Sequence, residues 1–364
     1  MSGGLGGDVG TASGDGAGDG DAGAGSGGAG AGDGGAETGS GDAGDTLSTP
    51  LPSVRGVPVT DVSAVAGAAL WALAALAGDL SAVGRALALA PLVVVPLGIG
   101  LAAERGFEGT SGSLLALAAV TQPAAAPLVL VSLVASGFVA TLTAVAWLPV
   151  TGLLALAGLL RARERGVDFG PASLSEWLVD AGLAYTTVAA VALVLFQQGI
   201  TFWFEPVIVL LTAVHFNFAG FALPVLAGVT GRHLGGFDGL AARAVAAVVL
   251  VGPAIIAVGI SFSPLVEVVA VGAFTLAVAA FGLLVLVRVV PSLDALPAAL
   301  VGLSALALPA SMVLALGYGI AAFGGTNPLG LSIGRMVSLH GSLNAYGFAL
   351  CGVLGWRLVG ESTR

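Results

Sequence analysis

Apolar stretches of about 17 to 25 residues, the length needed to cross a hydrocarbon core of about 30 Å, follow one another almost without pause from residue 62 to residue 358. On that criterion the chain holds ten spans, at 62–79, 86–103, 113–135, 137–160, 178–198, 206–230, 241–260, 264–287, 296–321 and 333–358. In a bilayer every backbone polar group must be satisfied inside the protein, and runs of this length do so as helices. The expected fold is therefore all-α, a polytopic transmembrane bundle of about ten spans. Pro123 and Pro127 are expected to interrupt the third span, and Pro297 and Pro309 the ninth.

Composition agrees, with 57% of residues hydrophobic and 9% charged, against roughly a quarter charged in soluble domains. Residues 1 to 50 hold eight acids and no base, which leaves thirteen acids against twelve arginines in the rest; lysine is absent. That first stretch is Gly, Ala, Asp and Ser, too poor in apolar side chains to offset the entropy of ordering. The expected domains are a disordered acidic tail at 1–61, a transmembrane helical domain at 62–359 and a short cytoplasmic end at 360–364. With ten spans and an inside N-terminus, ten arginines fall inside (55, 105, 161, 163, 165, 232, 243, 288, 357 and 364). Two, Arg85 and Arg335, fall outside. This is the positive-inside asymmetry, and it predicts a cell-membrane protein with both termini cytoplasmic. The Arg161–Arg165 run, RARER, reads as a topology anchor, touching anionic lipid.

The lipid bilayer is the first partner such a chain implies. Nucleic acid is not expected, because no basic patch is present. The single Cys351 excludes an internal disulfide and a multi-cysteine metal site. No catalytic constellation emerges. The Ser111 of GTSG lies at the opposite membrane side from the candidate histidines, and nucleotide-binding signatures are missing, so an enzyme is not the expected reading.

The chemistry concentrates in one repeat. HFNFAGFAL, His215 to Leu223, shares Asn-x-x-Gly-Phe-Ala-Leu with HGSLNAYGFAL, His340 to Leu350, and each copy has a histidine just upstream in a chain with three histidines. Both lie about nine residues into spans running in the same direction, so at about 1.5 Å per residue they share a depth in the outer half. Strongly polar residues inside lipid face the bundle and mark sites. His340, Asn344, Gly347 and Cys351 form one helical stripe, as do Thr212, His215, Ala219 and Ala222, while Asn217 points away. Pro224 cannot donate to the Gly220 carbonyl, so a kink or a locally opened turn is expected there, able to re-aim Asn217. Gln197, Gln198, Glu205, Glu267 and Arg335 are further polar residues at the outer ends, and Glu205 and Arg335 are suitably charged to pair. The remaining histidine, His233, is expected to be solvated.

HFNFAGF and HGSLNAYGF, in two late spans of a ten-span chain, resemble the YndJ-like family of prokaryotic membrane proteins over residues 62 to 359. The resemblance implies a polytopic bundle with His215, His340 and Asn344 at signature positions, and implies no particular chemistry.

Three readings follow for the site of His215, His340, Asn344, Asn217, Thr212, Glu205 and Arg335. One is binding or proton relay in the transport or sensing of a small solute, as transporters do at broken helices. The next is a redox protein holding haem or a metal ion through His215 and His340, with Thr212 or Asn344 orienting the rings. In the last, a structural or accessory protein, the motif only pins helices together.

Overall fold

The computed structural model describes residues 51–362 except 169 and 328. The eight acids of residues 1 to 50 lie outside the described residues. Of that tail's last eleven residues, Ser53–Val54 and Val57–Pro58 form a two-stranded antiparallel hairpin, and helix begins at Val59.

Among the described residues, ten helices are long and apolar enough to cross a membrane: Val59–Ala77, Ala82–Ala102, Gly109–Val134, Gly137–Arg165, Pro171–Gln197, Pro206–Leu234, Leu240–Phe262, Pro264–Ser292, Ala295–Gly324 and Ile333–Gly360. The fold class expected from hydropathy is the one observed. Their boundaries follow local chemistry. Proline opens the fifth, sixth and eighth spans, where its missing N–H costs nothing. Ser81 caps the second by accepting from the Gly84 amide, and Gly78 ends the first in the left-handed region.

The second span is the hub, most of it buried, and it touches the first, third, sixth and tenth. Small residues permit that closeness. A Cβ on Gly67 of the first span would lie 2.0 Å from the Leu92 carbonyl oxygen, and one on Gly98 would lie 2.5 Å from the Phe221 ring. The perimeter is apolar and exposed, as lipid contact requires, with Leu76, Phe138 and Leu276 among its side chains. At the end opposite Arg161 and Arg232, Trp203 packs 5.2 Å from Phe204 and 5.8 Å from Phe262, an aromatic cluster of the kind found at membrane–water boundaries.

Prolines act in two ways. Pro123 and Pro127 sit inside an unbroken helix at Gly109–Val134, as does Pro309 in Ala295–Gly324, so the expected interruptions do not occur. Elsewhere the helix widens to π form just before a proline. The segments Ala90–Val94, Phe216–Ala222 and Val285–Val289 each close with an i to i−5 bond, from Val95 to Ala90, Leu223 to Phe218 and Val290 to Val285. The next residue is Pro96, Pro224 or Pro291. The opened turn expected before Pro224 is the second of these.

Carbonyls freed this way find side chains. Gln122 of the third span donates 2.7 Å to the Pro91 carbonyl while accepting 2.6 Å from Ser63, so a buried amide joins the first three spans. Two further π segments, Val337–Gly341 and Leu343–Leu350, occupy the tenth span with no proline after them. There the ninth span helps: Ser304 donates 2.8 Å to the Phe348 carbonyl.

Candidate functional site

Both copies of the repeat are π-helical, and their asparagines occupy the second position of Phe216–Ala222 and of Leu343–Leu350. Each does the same work. Asn217 Nδ2 donates 2.9 Å to the Ala213 carbonyl and Asn344 Nδ2 donates 3.1 Å to the His340 carbonyl, four residues upstream in both cases. A side-chain amide thus serves a carbonyl where the helix changes pitch. The two π segments touch each other, and both touch Ala90–Val94 of the second span, so the repeat lies where three widened helices meet.

This brings the two histidines together. Their ring centroids are 6.0 Å apart, with the planes inclined by 35°. His215, the last residue before its π segment, is exposed, and His340 and Asn344 are partly buried. His215 Nδ1 lies 2.7 Å from the Leu211 carbonyl. His340 Nδ1 lies 3.0 Å from the Ser311 carbonyl and 2.9 Å from its hydroxyl. Asn344 Nδ2 donates 2.5 Å to that hydroxyl and stands 3.2 Å from His340 Nε2. Ser311, fully buried in the ninth span, is thus the residue that orients His340. Its spacing of seven from Ser304, which places both on one helix face, is the sequence signal that could have revealed it.

The other candidates lie apart from the pair. Thr212 bonds the Ile208 carbonyl of its own helix at 2.9 Å rather than orienting a histidine. Asn217 is 4% exposed and its Oδ1 has no hydrogen-bond partner among the described residues. Glu205 sits exposed before Pro206, and Arg335 Nη1 donates 3.1 Å to the Gly330 carbonyl. No ion pair joins Glu205 to Arg335, because Arg335 folds back on its own loop. Gln197 is taken by the Ser132 carbonyl at 2.6 Å. His233 lies 3.2 Å from the Ser292 hydroxyl and edge-on to Trp356 at 5.4 Å, so it packs as well as meeting water.

A second polar region occupies the arginine-bearing end. Arg161 Nε lies 2.6 Å from Asp180 Oδ1, and Arg165 Nη2 lies 2.7 Å from Asp180 Oδ2. Arg232 grips Glu176 with two bonds, at 2.8 and 2.6 Å, and Arg161 Nη1 lies 2.8 Å from the same carboxylate. Arg232 also donates to the Leu101 and Ala102 carbonyls, and both it and Arg161 reach the Arg105 carbonyl. These are the orphan acceptors at the C-terminal end of the second span, where positive charge is favoured. Arg161 also stacks 4.0 Å over Phe107. Within RARER, Arg161 is 4% exposed and turned inward to Asp180, while Arg163 is exposed. A parallel triad binds Arg357 to Asp61 at 2.6 Å and to Glu104 at 3.2 Å, tying the tenth span to the first and second.

A family model described as YndJ-like protein matches residues 85–348. The uncharacterized membrane protein YndJ of Bacillus subtilis (strain 168) is 31% identical over 155 residues, which cover 43% of this chain and 28% of that relative. The match thus spans less than a third of the relative's length. No solved structure matches.

Proposed function

This chain belongs to the YndJ-like family, and from that premise we propose that it is a multi-pass membrane protein that binds a small solute at His215 and His340, for transport or sensing. The arginine-bearing end faces the cytoplasm in this reading, with both termini, and the histidine pair opens toward the opposite side. The observation that carries it is the 6.0 Å approach of the two rings from spans far apart in sequence. Paired imidazoles inside a bundle are costly to keep without use. Widened helix turns recur at functional sites.

Roles divide within the motif. The asparagines hold backbone carbonyls, so Asn217 and much of Asn344 belong to the structural reading. The histidines contribute one ring nitrogen each to helix architecture and keep the other. For haem, Asn344 occupies ground beside His340 Nε2 that a macrocycle would need. An ion or small molecule suits the gap better.

The test is access. In sealed vesicles of a Cys351→Ala background, His340→Cys is expected to react with a membrane-impermeant maleimide added on the side opposite the arginines. Failure to react from either side, with the same reagent labelling a loop control, would reject a solute site.

A further inference from the structure

We infer that the histidine pair binds a divalent first-row transition-metal ion through Nε2 of His215 and Nε2 of His340, which names the solute class for the site proposed above and rests on that reading. The proton count supports it. A backbone carbonyl only accepts, so the nitrogen facing one must carry the hydrogen. His215 Nδ1 faces Leu211 and His340 Nδ1 faces Ser311, and both rings are therefore Nδ1–H tautomers with a lone pair on Nε2.

Among the described residues His215 Nε2 makes no hydrogen bond, and the donor beside His340 Nε2 is Asn344 Nδ2 at 3.2 Å. The Ser311 hydroxyl donates to the His340 carbonyl, and the two Asn344 amide hydrogens go to Ser311 Oγ and the His340 carbonyl. None is left for His340 Nε2. Arg335, a cation on the same span, is bonded to Gly330. The pair offers acceptors, and an anion would find no donor there.

A histidine donating its far N–H to a carbonyl while presenting the other nitrogen is the arrangement that orients metal-bound imidazole. With each nitrogen 2.0–2.1 Å from a shared tetrahedral ion, ring centroids fall about 5 Å apart, so from the observed 6.0 Å the rings close by about 1 Å on the ion. Imidazole suits zinc, copper and nickel, while magnesium and calcium favour oxygen.

Among the described residues no group of three or more His, Cys, Asp or Glu surrounds a metal position. Two protein ligands leave coordination positions open, unlike the closed four-ligand set of a structural zinc site. The ion is accordingly held loosely and exchanges, as a transported or sensed solute must.

The test is zinc titration of the full chain in detergent by calorimetry, with His215→Ala, His340→Ala, His340→Gln and His233→Ala, each checked for monodispersity. One zinc per chain is expected, with affinity at least tenfold weaker in every His215 or His340 variant and unchanged in His233→Ala. No binding of zinc, copper or nickel by the wild type, or binding indifferent to His215→Ala, would overturn it. The maleimide result separates the two ideas: labelling without metal binding discards the metal and keeps the solute site, and loss of both discards both.

Discussion

The two polar regions of this bundle treat buried polarity in opposite ways. At the arginine-bearing end, Arg161, Arg165 and Arg232 face Asp180 and Glu176 with direct ion pairs, and spare guanidinium hydrogens fall on the carbonyls that end the second span. At the other end, two imidazoles 6.0 Å apart meet backbone carbonyls through Nδ1, and Asn344 Nδ2 stands 3.2 Å from His340 Nε2. The first arrangement locks the second, fourth, fifth and sixth spans together, since breaking one partner strands a buried charge. The second locks little and leaves chemistry available. In the function proposed above, the contrast separates polar groups that hold the fold from those that would meet a ligand.

The largest effect that would break this contrast is at Asp180. Asp180→Ala removes the carboxylate that Arg161 and Arg165 share and leaves Arg161 with Glu176 alone, and removing one member of a buried pair costs about 3–5 kcal/mol. A marked fall in the thermal midpoint in detergent is expected. A midpoint close to wild type would show that the network is not what joins these spans.

The repeat offers a sharper comparison. If both asparagines support carbonyls at a change of pitch, Asn217→Ala and Asn344→Ala should each cost about 1–3 kcal/mol, measured as matched drops in midpoint. A large drop for one with none for the other would mean that the shared motif performs two tasks.

His340→Ala stands at the opposite pole from Asp180→Ala. An interhelical hydrogen bond in a membrane protein is worth about 1 kcal/mol or less, so the midpoint should barely move while zinc affinity collapses. Destabilisation as great as that of Asp180→Ala would place the histidines in the structural class.

The smallest effect concerns Asp168, in the exposed loop before the fifth span, whose carboxyl is held below its ordinary range by the Ser173 hydroxyl and the Gly170 amide. With the folded pKa below the unfolded one, this stabilisation is complete above the unfolded value and is lost as pH falls through the folded value. Protection of the Gly170 amide should therefore weaken only in acid. Weakening on the alkaline side would contradict the assignment.

The spans were legible because unbroken hydropathy at bilayer length has one solution in lipid. The meeting of His215 and His340 was legible as matched depth on spans of the same direction. Ser311 was not, since a serine in a membrane helix looks like any small packing residue until its hydroxyl is placed beside a ring. Nor was the inward turn of Arg161 and Arg165. An arginine at a span end serves as an anchor or as half of a buried pair, and only the position of Asp180 decides. Proline alone did not foretell the widened turns, because Pro96, Pro224 and Pro291 follow π segments while Pro123, Pro127 and Pro309 sit in ordinary helix.

The most direct measurement is cross-linking of His215→Cys/His340→Cys in a Cys351→Ala background with a short bifunctional maleimide, under native and denaturing conditions. If the two copies of the repeat build one site, intramolecular cross-linking will be efficient in the native bundle, will vanish on denaturation, and will be absent from a His233→Cys/His340→Cys control. Equal and low cross-linking in both pairs, with the cysteines shown to be reactive singly, would mean that the two histidines do not meet.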